Sequence, residues 1–325
     1  MNRIVWPFLA LIALFVVDAI MVPGFFTISM REGVLYGSII DIFKNGAVVM
    51  LVACGMSLVI ATGGVDLSVG SVMALSGSLA AMLMQQQNAS YPAIIAACLG
   101  VALLLGAFNG VLVGVVQVQS IVATLILMVA GRGAAQLVTD GQMLRFSADE
   151  FTLFGGAATF GLPNGIYVAA FTFGLTYLLT RSTALGLFIE ATGGSEPAAH
   201  AAGVDTKMVK VGVYAFCALC AALAGLVRAS DLRVADANSA GLFLELDAIL
   251  CVVVGGAKLT GGKFNLVGVF IGAILIQTLT TTILTTGVPP EATLVVKAIV
   301  VLLVCVLQSD DLRRHLKIPK RQVAP

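Results

Sequence analysis

A polar loop, ATGGVDLSVG at residues 61–70, separates two apolar runs that are each long enough to enter a bilayer. It carries one carboxylate, Asp66, and one hydroxyl nearby, Ser68. A charged group beside irregular backbone usually marks a working site in a membrane protein. Acceptors and donors in an otherwise apolar site suit a hydroxyl-rich ligand. We therefore predict that Asp66 and Ser68 belong to a substrate pathway; the alternative is that Asp66 only caps the helix that follows it.

The loop has a weak second copy. The segment GGKFNLVG at 261–268 shares the pattern G-G-x4-V-G with GGVDLSVG at 63–70, and each copy lies between apolar runs. Transporters are often built from such repeats, with broken helices at the substrate site. We predict two broken-helix hairpins from weakly related halves, and we add Phe264, as a ring that could stack on a sugar, and Asn265 to the pathway. The alternative is a chance match in a chain with 35 glycines.

Two further polar residues lie within apolar runs. Asn109 lies beside a stripe of glycines spaced four residues apart, Gly106, Gly110 and Gly114, which predicts close packing against another helix. Asn109 could face that helix or the pathway, and we include it among the pathway residues. Arg132 lies within the run 121–139, where a charge is costly unless it finds a partner. A structural clamp is favoured for Arg132 over sugar contact.

The segment 181–207 is polar, rich in alanine and too long for a plain connection, although a plain loop is the alternative. Gly193 and Gly194 break the chain, Ser195 can cap a helix, and Gly203 can end one. A short, smooth helix between glycines is typical of a docking element. The predicted docking residues are Glu190, Gly193, Gly194, Ala198, Ala199 and Gly203.

These residues are positioned by membrane helices. The chain is 59% hydrophobic and only 11% charged, which is far beyond what a soluble domain needs for its core. Runs that could cross about 30 Å of hydrocarbon predict an all-α polytopic membrane protein with about ten helices, forming one domain over 1–325. The predicted runs are 4–22, 43–62, 68–84, 92–117, 121–139, 164–180, 208–229, 245–257, 266–285 and 293–308. The run 245–257 is short enough to be a half-helix.

The distribution of Lys and Arg predicts the orientation. With both termini in the cytoplasm, the inner segments hold most basic residues, including a basic tail at 309–325. The outer segments hold only Arg31, Lys44, Arg145, Arg228 and Arg233. Charges near 140–150 and 228–247 give the outer face mixed charge, either for a soluble partner or as solvated loops.

Several functions are disfavoured. All six cysteines lie in apolar runs, where a thiol behaves as a small hydrophobe, and the chain has only two histidines. The nearest approach to a P-loop, AKLTGGKF at 257–264, has Phe264 where Ser or Thr is needed. We therefore expect no enzymatic activity, no metal, no cofactor and no nucleic-acid partner.

Four ordered motifs carry a family resemblance: ATGGVDLSVG, FNGVLVGVVQVQSIVATLILMVAGRG, the glycine- and alanine-rich segment near 191–203, and LELDAILCVVVGGAKLTGGKFNLVG. Together they resemble the permease subunits of bacterial sugar ABC importers of the ribose, xylose and galactofuranose type. The pair Phe264 and Asn265 and the run 235–250 are most similar to galactofuranose permeases. Ser120 departs from the family, which often has proline there; this change could loosen a helix entry.

The resemblance implies a permease in the inner membrane that moves a monosaccharide from periplasm to cytoplasm by alternating access. It also implies three partners: a cytoplasmic ATPase subunit that engages the docking residues, a periplasmic sugar-binding protein, and a second permease subunit, identical or paralogous. Two alternatives stay open, namely a branched-chain amino acid ABC permease and an ion-coupled secondary transporter.

Overall fold

The computed structural model describes residues 5–86, 89–147, 149–287 and 289–308. The predicted basic tail at 309–325 lies outside the described residues. In chain order the elements are α1 (Val5–Met21), β1 (Ser29–Arg31), β2 (Val34–Tyr36), α2 (Ser38–Ala61), α3 (Val69–Gln86), α4 (Tyr91–Gly114), α5 (Ser120–Val138), β3 (Leu144–Arg145), α6 (Asp149–Gly155), β4 (Ala158–Thr159), β5 (Leu162–Pro163), α7 (Asn164–Ser182), α8 (Ala184–Gly194), α9 (Glu196–Ala201), α10 (Thr206–Leu232), β6 (Val234–Ala235), α11 (Leu244–Val254), α12 (Leu266–Thr285) and α13 (Pro290–Gln308).

The structure is mainly helical, as predicted, and it contains helices and short strands beyond the predicted runs. Each of the ten predicted apolar runs falls on a helix, and three more helices, α6, α8 and α9, lie between them. Five helices, α2, α4, α5, α10 and α12, are both long and apolar enough to cross a membrane among the described residues. The strands form three short antiparallel ribbons, β1–β2, β3–β6 and β4–β5, which the sequence analysis did not predict.

The ribbons mark one end of the helix bundle. The amide of Leu35 on β2 donates to the carbonyl of Gly161 between β4 and β5, at 2.9 Å, and β6 follows directly after α10. We call this the ribbon end. The other end holds the two glycine-rich loops, 62–68 and 255–265, and we call it the glycine-loop end.

Helix α2 lies at the centre of the bundle. It is buried over most of its length and packs against α7, α10, α11 and α12. A helix that is apolar all round is stable only in such an interior position. In contrast, α4 and α5 leave most of their apolar surface on the outside of the bundle, where a bilayer would cover it.

The glycine stripe on α4 packs against α10, which confirms the prediction of close helix packing. A Cβ atom added at Gly106 would lie 2.6 Å from the carbonyl oxygen of Tyr214, and one added at Gly110 would lie 2.5 Å from the Cα of Val211. Both contacts are with backbone, so no rotamer change can relieve them. The two helix backbones therefore touch only because these positions lack a side chain.

This packing predicts that alanine at two glycines of the same helix affects the melting temperature differently. Gly110→Ala should lower the melting temperature of the purified protein, because overpacking against a backbone costs roughly 1–3 kcal/mol. Gly100 has no atom within 4 Å of its added Cβ, so Gly100→Ala should leave the melting temperature unchanged or raise it through better helix propensity. Thermal unfolding of both variants in detergent tests this. Equal melting temperatures would contradict the close contact.

Candidate functional site

Asp66 lies fully buried between α2 and α3. Its Oδ1 accepts hydrogen bonds from the backbone amide of Ser68, at 2.9 Å, and from the Ser68 hydroxyl, at 2.5 Å. Helix α3 begins at the next residue, Val69. Asp66 thus satisfies an otherwise unpaired donor at a helix entry, which agrees with the capping alternative.

The network extends to a third predicted residue. The amide nitrogen of Asn109, on α4, donates to the Ser68 hydroxyl at 3.1 Å, and Asn109 is also fully buried. Asp66 Oδ2 and Asn109 Oδ1 lack a hydrogen-bond partner within the described residues. Buried polar atoms without partners are costly. The structure therefore brings Asp66, Ser68 and Asn109 together in a network whose hydrogen-bonding capacity is only partly used.

Two residues outside the predicted pathway set support this loop. The hydroxyl of Tyr214, on α10, donates to the carbonyl of Val65 at 3.4 Å. The amide of Val65 donates to the hydroxyl of Ser120, also at 3.4 Å. Ser120 was noted only as a departure from the family pattern, whereas its hydroxyl holds the loop before Asp66. Nothing in the sequence pointed to Tyr214.

The second glycine loop lies directly against the first. The amide of Gly262 donates to the carbonyl of Ala61, the last residue of α2, at 2.9 Å. A Cβ added at Gly261 would lie 2.9 Å from the Cα of Gly63. Asn265 accepts a hydrogen bond from the amide of Gly268 at 3.2 Å and so caps α12. The two copies of the repeat form similar helix–loop–helix units that meet at their loops.

Phe264 is 6% exposed and packs in the main hydrophobic core. Its ring therefore has no open face toward which a sugar could approach in this conformation. Neither Phe264 nor Asn265 contacts the Asp66 network through a hydrogen bond among the described residues.

A cavity of about 740 Å³ opens at the ribbon end. None of the five predicted pathway residues lines it. Its polar lining comes from α2, α10, α11, α12 and the segment 233–243, and consists of Asp41, Asn45, Arg228, Asp236, Ser239, Asp247, Gln277, Thr280, Thr281 and Thr285. Oxygen and nitrogen groups on an otherwise apolar wall are typical of a site for a small polar molecule.

Most of these polar groups are held by neighbours. Arg228 donates to the side-chain oxygen of Asn45 at 3.1 Å. Asp236 accepts hydrogen bonds from the hydroxyl of Ser239 and from the backbone amide of Asn238. The cavity presents both fixed charges and neutral hydroxyls.

One wall of the cavity is a segment that turns back into the bundle, residues 233–243. Gly225 of α10 packs against the carbonyl of Met73 on α3, and α10 continues for seven residues to Leu232, about 10 Å toward the ribbon end. The chain then turns back toward the glycine-loop end. A Cβ added at Gly241 would lie 2.5 Å from the carbonyl oxygen of Gly70, which precedes Met73 on α3 and lies farther from the ribbon end. We call 233–243 the re-entrant segment.

Arg132 holds this segment in place. One guanidinium nitrogen donates to the carbonyl of Ala237 at 2.9 Å and to that of Ala240 at 2.6 Å. Irregular backbone inside a helix bundle needs such partners for its carbonyls wherever the bundle excludes water. The geometry favours the clamp over sugar contact for Arg132, which does not line the ribbon-end cavity.

The predicted docking segment forms two helices, α8 and α9, of which only α9 was expected. Ser195 caps α9 by accepting from the amide of Ala198 at 3.4 Å, and the chain leaves α9 near Gly203, whose φ is +87°. Gly193 and Gly194 do not break the chain themselves but form the last turn of α8. Glu190 lies on α8 and is partly buried.

Only some of the predicted docking alanines lie on the exposed face of α9. Ala198 is exposed, whereas Ala199 is 5% exposed and points into the bundle. Glu196 pairs with Lys210 of α10 at 2.7 Å. A Cβ added at Gly193 would lie 1.7 Å from the carbonyl oxygen of Ala61. The docking segment therefore rests directly on both glycine loops.

Among the described residues, no group of three or more His, Cys, Asp and Glu side chains is placed so that it could hold a metal ion. The five described cysteines are buried and free: Cys54, Cys98, Cys217, Cys220 and Cys251.

Comparison with known proteins places this architecture. Residues 38–305 match the family described as branched-chain amino acid transport system / permease component. The chain belongs to this permease family. It is 48% identical to the galactofuranose transporter permease protein YtfT of Escherichia coli (strain K12), covering 95% of this chain and 92% of the relative. It is 37% identical to the fructose import permease protein FruF of Bifidobacterium longum (strain NCC 2705), over 96% of this chain and 89% of the relative.

The ribose import permease protein RbsC of E. coli (strain K12) is 35% identical over 93% of this chain and 92% of its own length. These relatives confirm the resemblance to sugar-importer permeases that the motifs predicted. No solved structure matches the chain significantly. Because the relatives are permease subunits, they agree with a transport role without catalysis for this chain.

Proposed function

We propose that this chain is the membrane subunit of an ATP-driven importer of a monosaccharide, and that the sugar is galactofuranose. The observation that carries the proposal is 48% identity to a galactofuranose permease over nearly the whole chain, against 37% and 35% for fructose and ribose permeases. The mixed polar lining of the ribbon-end cavity supports a hydroxyl-rich substrate.

We further propose ten membrane crossings in one domain over 1–325, formed by α1–α5, α7 and α10–α13, with both termini in the cytoplasm of the inner membrane. The glycine-loop end would then be cytoplasmic, and it carries Arg181, Lys207, Lys210, Lys258 and Lys263. This arrangement follows the positive-inside rule. Helix α11, with 11 residues, spans only about half of the bilayer and relies on the re-entrant segment for the rest.

In this orientation the cavity opens to the periplasm and the opposite end is closed. The sugar would enter at the ribbon end from a periplasmic binding protein. It would leave past the network of Asp66, Ser68 and Asn109, whose unpaired Oδ atoms are available for sugar hydroxyls once the glycine loops separate. Phe264 and Asn265 would face the pathway only in that second state, which fits alternating access.

A cytoplasmic ATPase subunit would supply the energy by engaging α8 and α9, and a second permease subunit would complete the pathway. No nucleotide-binding motif exists in the sequence to drive transport from within this chain. The proposed coupling residues are Glu190, Gly193, Gly194, Ala198, Ala199 and Gly203. Ala198 would contact the ATPase, whereas Ala199 would anchor α9 to the bundle.

The exposed alanine provides a direct test of coupling. Ala198→Trp should reduce sugar-stimulated ATP hydrolysis by roughly ten-fold, which corresponds to a loss of about 1.4 kcal/mol at the docking contact. Ala93→Trp, at an exposed position near the ribbon end, is the matched control and should leave hydrolysis unchanged. Undiminished stimulation in the Ala198 variant would remove α9 from the coupling role.

The two alternatives receive less support. The family description includes branched-chain amino acid transport, but the three relatives described above are named for sugars. An ion-coupled transporter needs acidic groups along its spans. Three acidic residues lie near span positions: Asp66 caps α3 through Oδ1, Asp18 is buried on α1, and the side chain of Glu291 lies outside the described residues. The sugar-importer permeases among the relatives favour the ABC mechanism over ion coupling.

The experiment is uptake of labelled galactofuranose, ribose and fructose by cells that lack this chain and by cells in which it is restored, with and without ATP depletion. We expect restored, ATP-dependent uptake of galactofuranose. Uptake that follows an ion gradient would contradict the ABC mechanism, and preferential uptake of ribose or fructose would contradict the proposed substrate.

A further inference from the structure

Lys297 is a charged residue in the middle of an apolar helix. It lies on α13 and is 7% exposed. Its Nζ is 2.9 Å from Asp247 Oδ2 and 3.1 Å from Asp247 Oδ1. Asp247 lies in the first turn of α11 and lines the ribbon-end cavity, whereas Lys297 does not line it. The ammonium group therefore reaches the cavity only through the Asp247 carboxylate.

Such a pair is not retained for stability alone. Removing two charges from water costs about as much as their attraction returns, and apolar side chains of similar size are often as stable. The Asp247 side chain is 20% exposed and is part of the cavity lining. An ionised carboxylate has about four acceptor positions, so two contacts with one ammonium group leave capacity for hydroxyl donors.

The other cavity carboxylates are arranged differently. Asp236 accepts bonds from its own segment, through Ser239 and Asn238. Asp41 is exposed, in the first turn of α2. Asp247 alone among these three is both partly buried and fixed by a cation behind it.

We propose that Asp247 accepts hydrogen bonds from the hydroxyl groups of the transported sugar, and that Lys297 is a positioning residue that holds this carboxylate directed into the cavity. This inference rests on the proposed sugar transport. It differs from a structural role, in which the pair would only join α11 to α13.

A charge-neutral double variant separates the two roles. Asp247→Asn alone leaves a buried ammonium group unpaired, so it should lower both the melting temperature and sugar uptake. The combination of Asp247→Asn with Lys297→Met should restore the melting temperature to within about 2 °C of wild type, since no unpaired charge remains. Because asparagine has the shape of aspartate, it does not block the cavity. We nevertheless expect uptake of labelled galactofuranose by the assembled importer to stay about ten-fold below wild type.

The pair Lys44–Asp231 is the matched control. Lys44 Nζ lies 2.7 Å from Asp231 Oδ1, and this ion pair joins α2 to α10 at the same end of the bundle. Neither residue lines the ribbon-end cavity. The combination Lys44→Met with Asp231→Asn should keep both the melting temperature and uptake near wild type.

Two outcomes overturn the inference. Near wild-type uptake by the Asp247→Asn, Lys297→Met double variant would reduce the pair to a structural link. Equal loss of uptake in the Lys44–Asp231 double variant would show that any lost pair at this end impairs transport. Uptake by the wild-type importer is measured first. If the wild type transports no galactofuranose, that result contradicts the proposed substrate and not the role of Asp247.

Discussion

Replacing Gly193 with alanine should reduce sugar-stimulated ATP hydrolysis by the assembled importer at least ten-fold, while the same change at Gly194 should have little effect. The two glycines are adjacent on α8 but differ in surroundings. A Cβ at Gly193 would lie 1.7 Å from the carbonyl oxygen of Ala61 and 2.7 Å from the amide nitrogen of Gly262. A Cβ at Gly194 would have no atom within 4 Å.

The effect should be large because every atom in the way belongs to the backbone. Ala61 ends α2, and its carbonyl also accepts the hydrogen bond from Gly262 that joins the two glycine loops. Packed interiors do not absorb an overlap of this size without moving whole elements. Alanine at 193 must therefore push α8 away from the loops or separate the loops from each other. In either case, movement of the docking segment would no longer reach the pathway.

The measurement is ATP hydrolysis by the reconstituted complex, with and without sugar-loaded binding protein, together with the melting temperature of the permease alone. We expect sugar-stimulated hydrolysis to fall at least ten-fold in Gly193→Ala and to stay within two-fold of wild type in Gly194→Ala. A Gly193→Ala variant that folds and is stimulated normally would contradict a direct contact between α8 and the loops.

The sequence predicted local features of this region well. Helix entries, the short helix α9 and the glycine stripe depend on residues within a few positions of each other, and the structure confirms them. The hydrogen bond from Asn109 to Ser68 joins residues 41 positions apart. Spacing along the chain carries no information about such a pair, although both residues were named as candidates.

The ribbon-end cavity could not be predicted in the same way. Its polar lining comes from four helices and from a segment that turns back into the bundle, and a turn of this kind has no simple periodic signal. The sequence alone therefore places Asp247 among the charges of the outer face. Lys297 differs, because the sequence alone shows a lysine within the apolar run 293–308. As for Arg132, a charge within such a run predicts a buried partner.

The re-entrant segment and the glycine loops suggest a division of roles along α11. Its beginning follows the segment that Arg132 clamps, its first turn presents Asp247 to the cavity, and its end leads into the loop that contacts Ala61. A half-helix held at both ends can transmit a shift from one end to the other as a rigid element. The position of the re-entrant segment should therefore matter for transport as well as for stability.

Replacing Arg132 with methionine should reduce sugar uptake to below a tenth of wild type and should destabilise the protein. The side chain donates to two carbonyls, those of Ala237 and Ala240, and methionine offers no donor. Each carbonyl left unsatisfied away from water costs about 1–3 kcal/mol. The total should amount to roughly 2–5 kcal/mol, although removal of a partly buried charge offsets part of it.

Lysine at this position should give an intermediate result. Its ammonium group has three donors and can reach the same carbonyls, but it lacks the planar guanidinium geometry that fixes the direction of both bonds. We therefore expect Arg132→Lys to retain part of the uptake and to show a melting temperature between those of wild type and Arg132→Met. Uptake in proteoliposomes and thermal unfolding in detergent are the two measurements.

Gln136 supplies the matched control for this prediction. It lies one turn further along α5 and also bonds the re-entrant segment, through its amide nitrogen and Asn238 Oδ1 at 2.8 Å, but this bond is exposed. Water replaces an exposed hydrogen bond at little cost, so Gln136→Met should change stability by less than about 1 kcal/mol. If Gln136→Met and Arg132→Met were equally harmful, depth in the membrane would not decide the importance of these contacts. A severe effect confined to Arg132 would instead show that the buried carbonyls of the re-entrant segment depend on this one guanidinium.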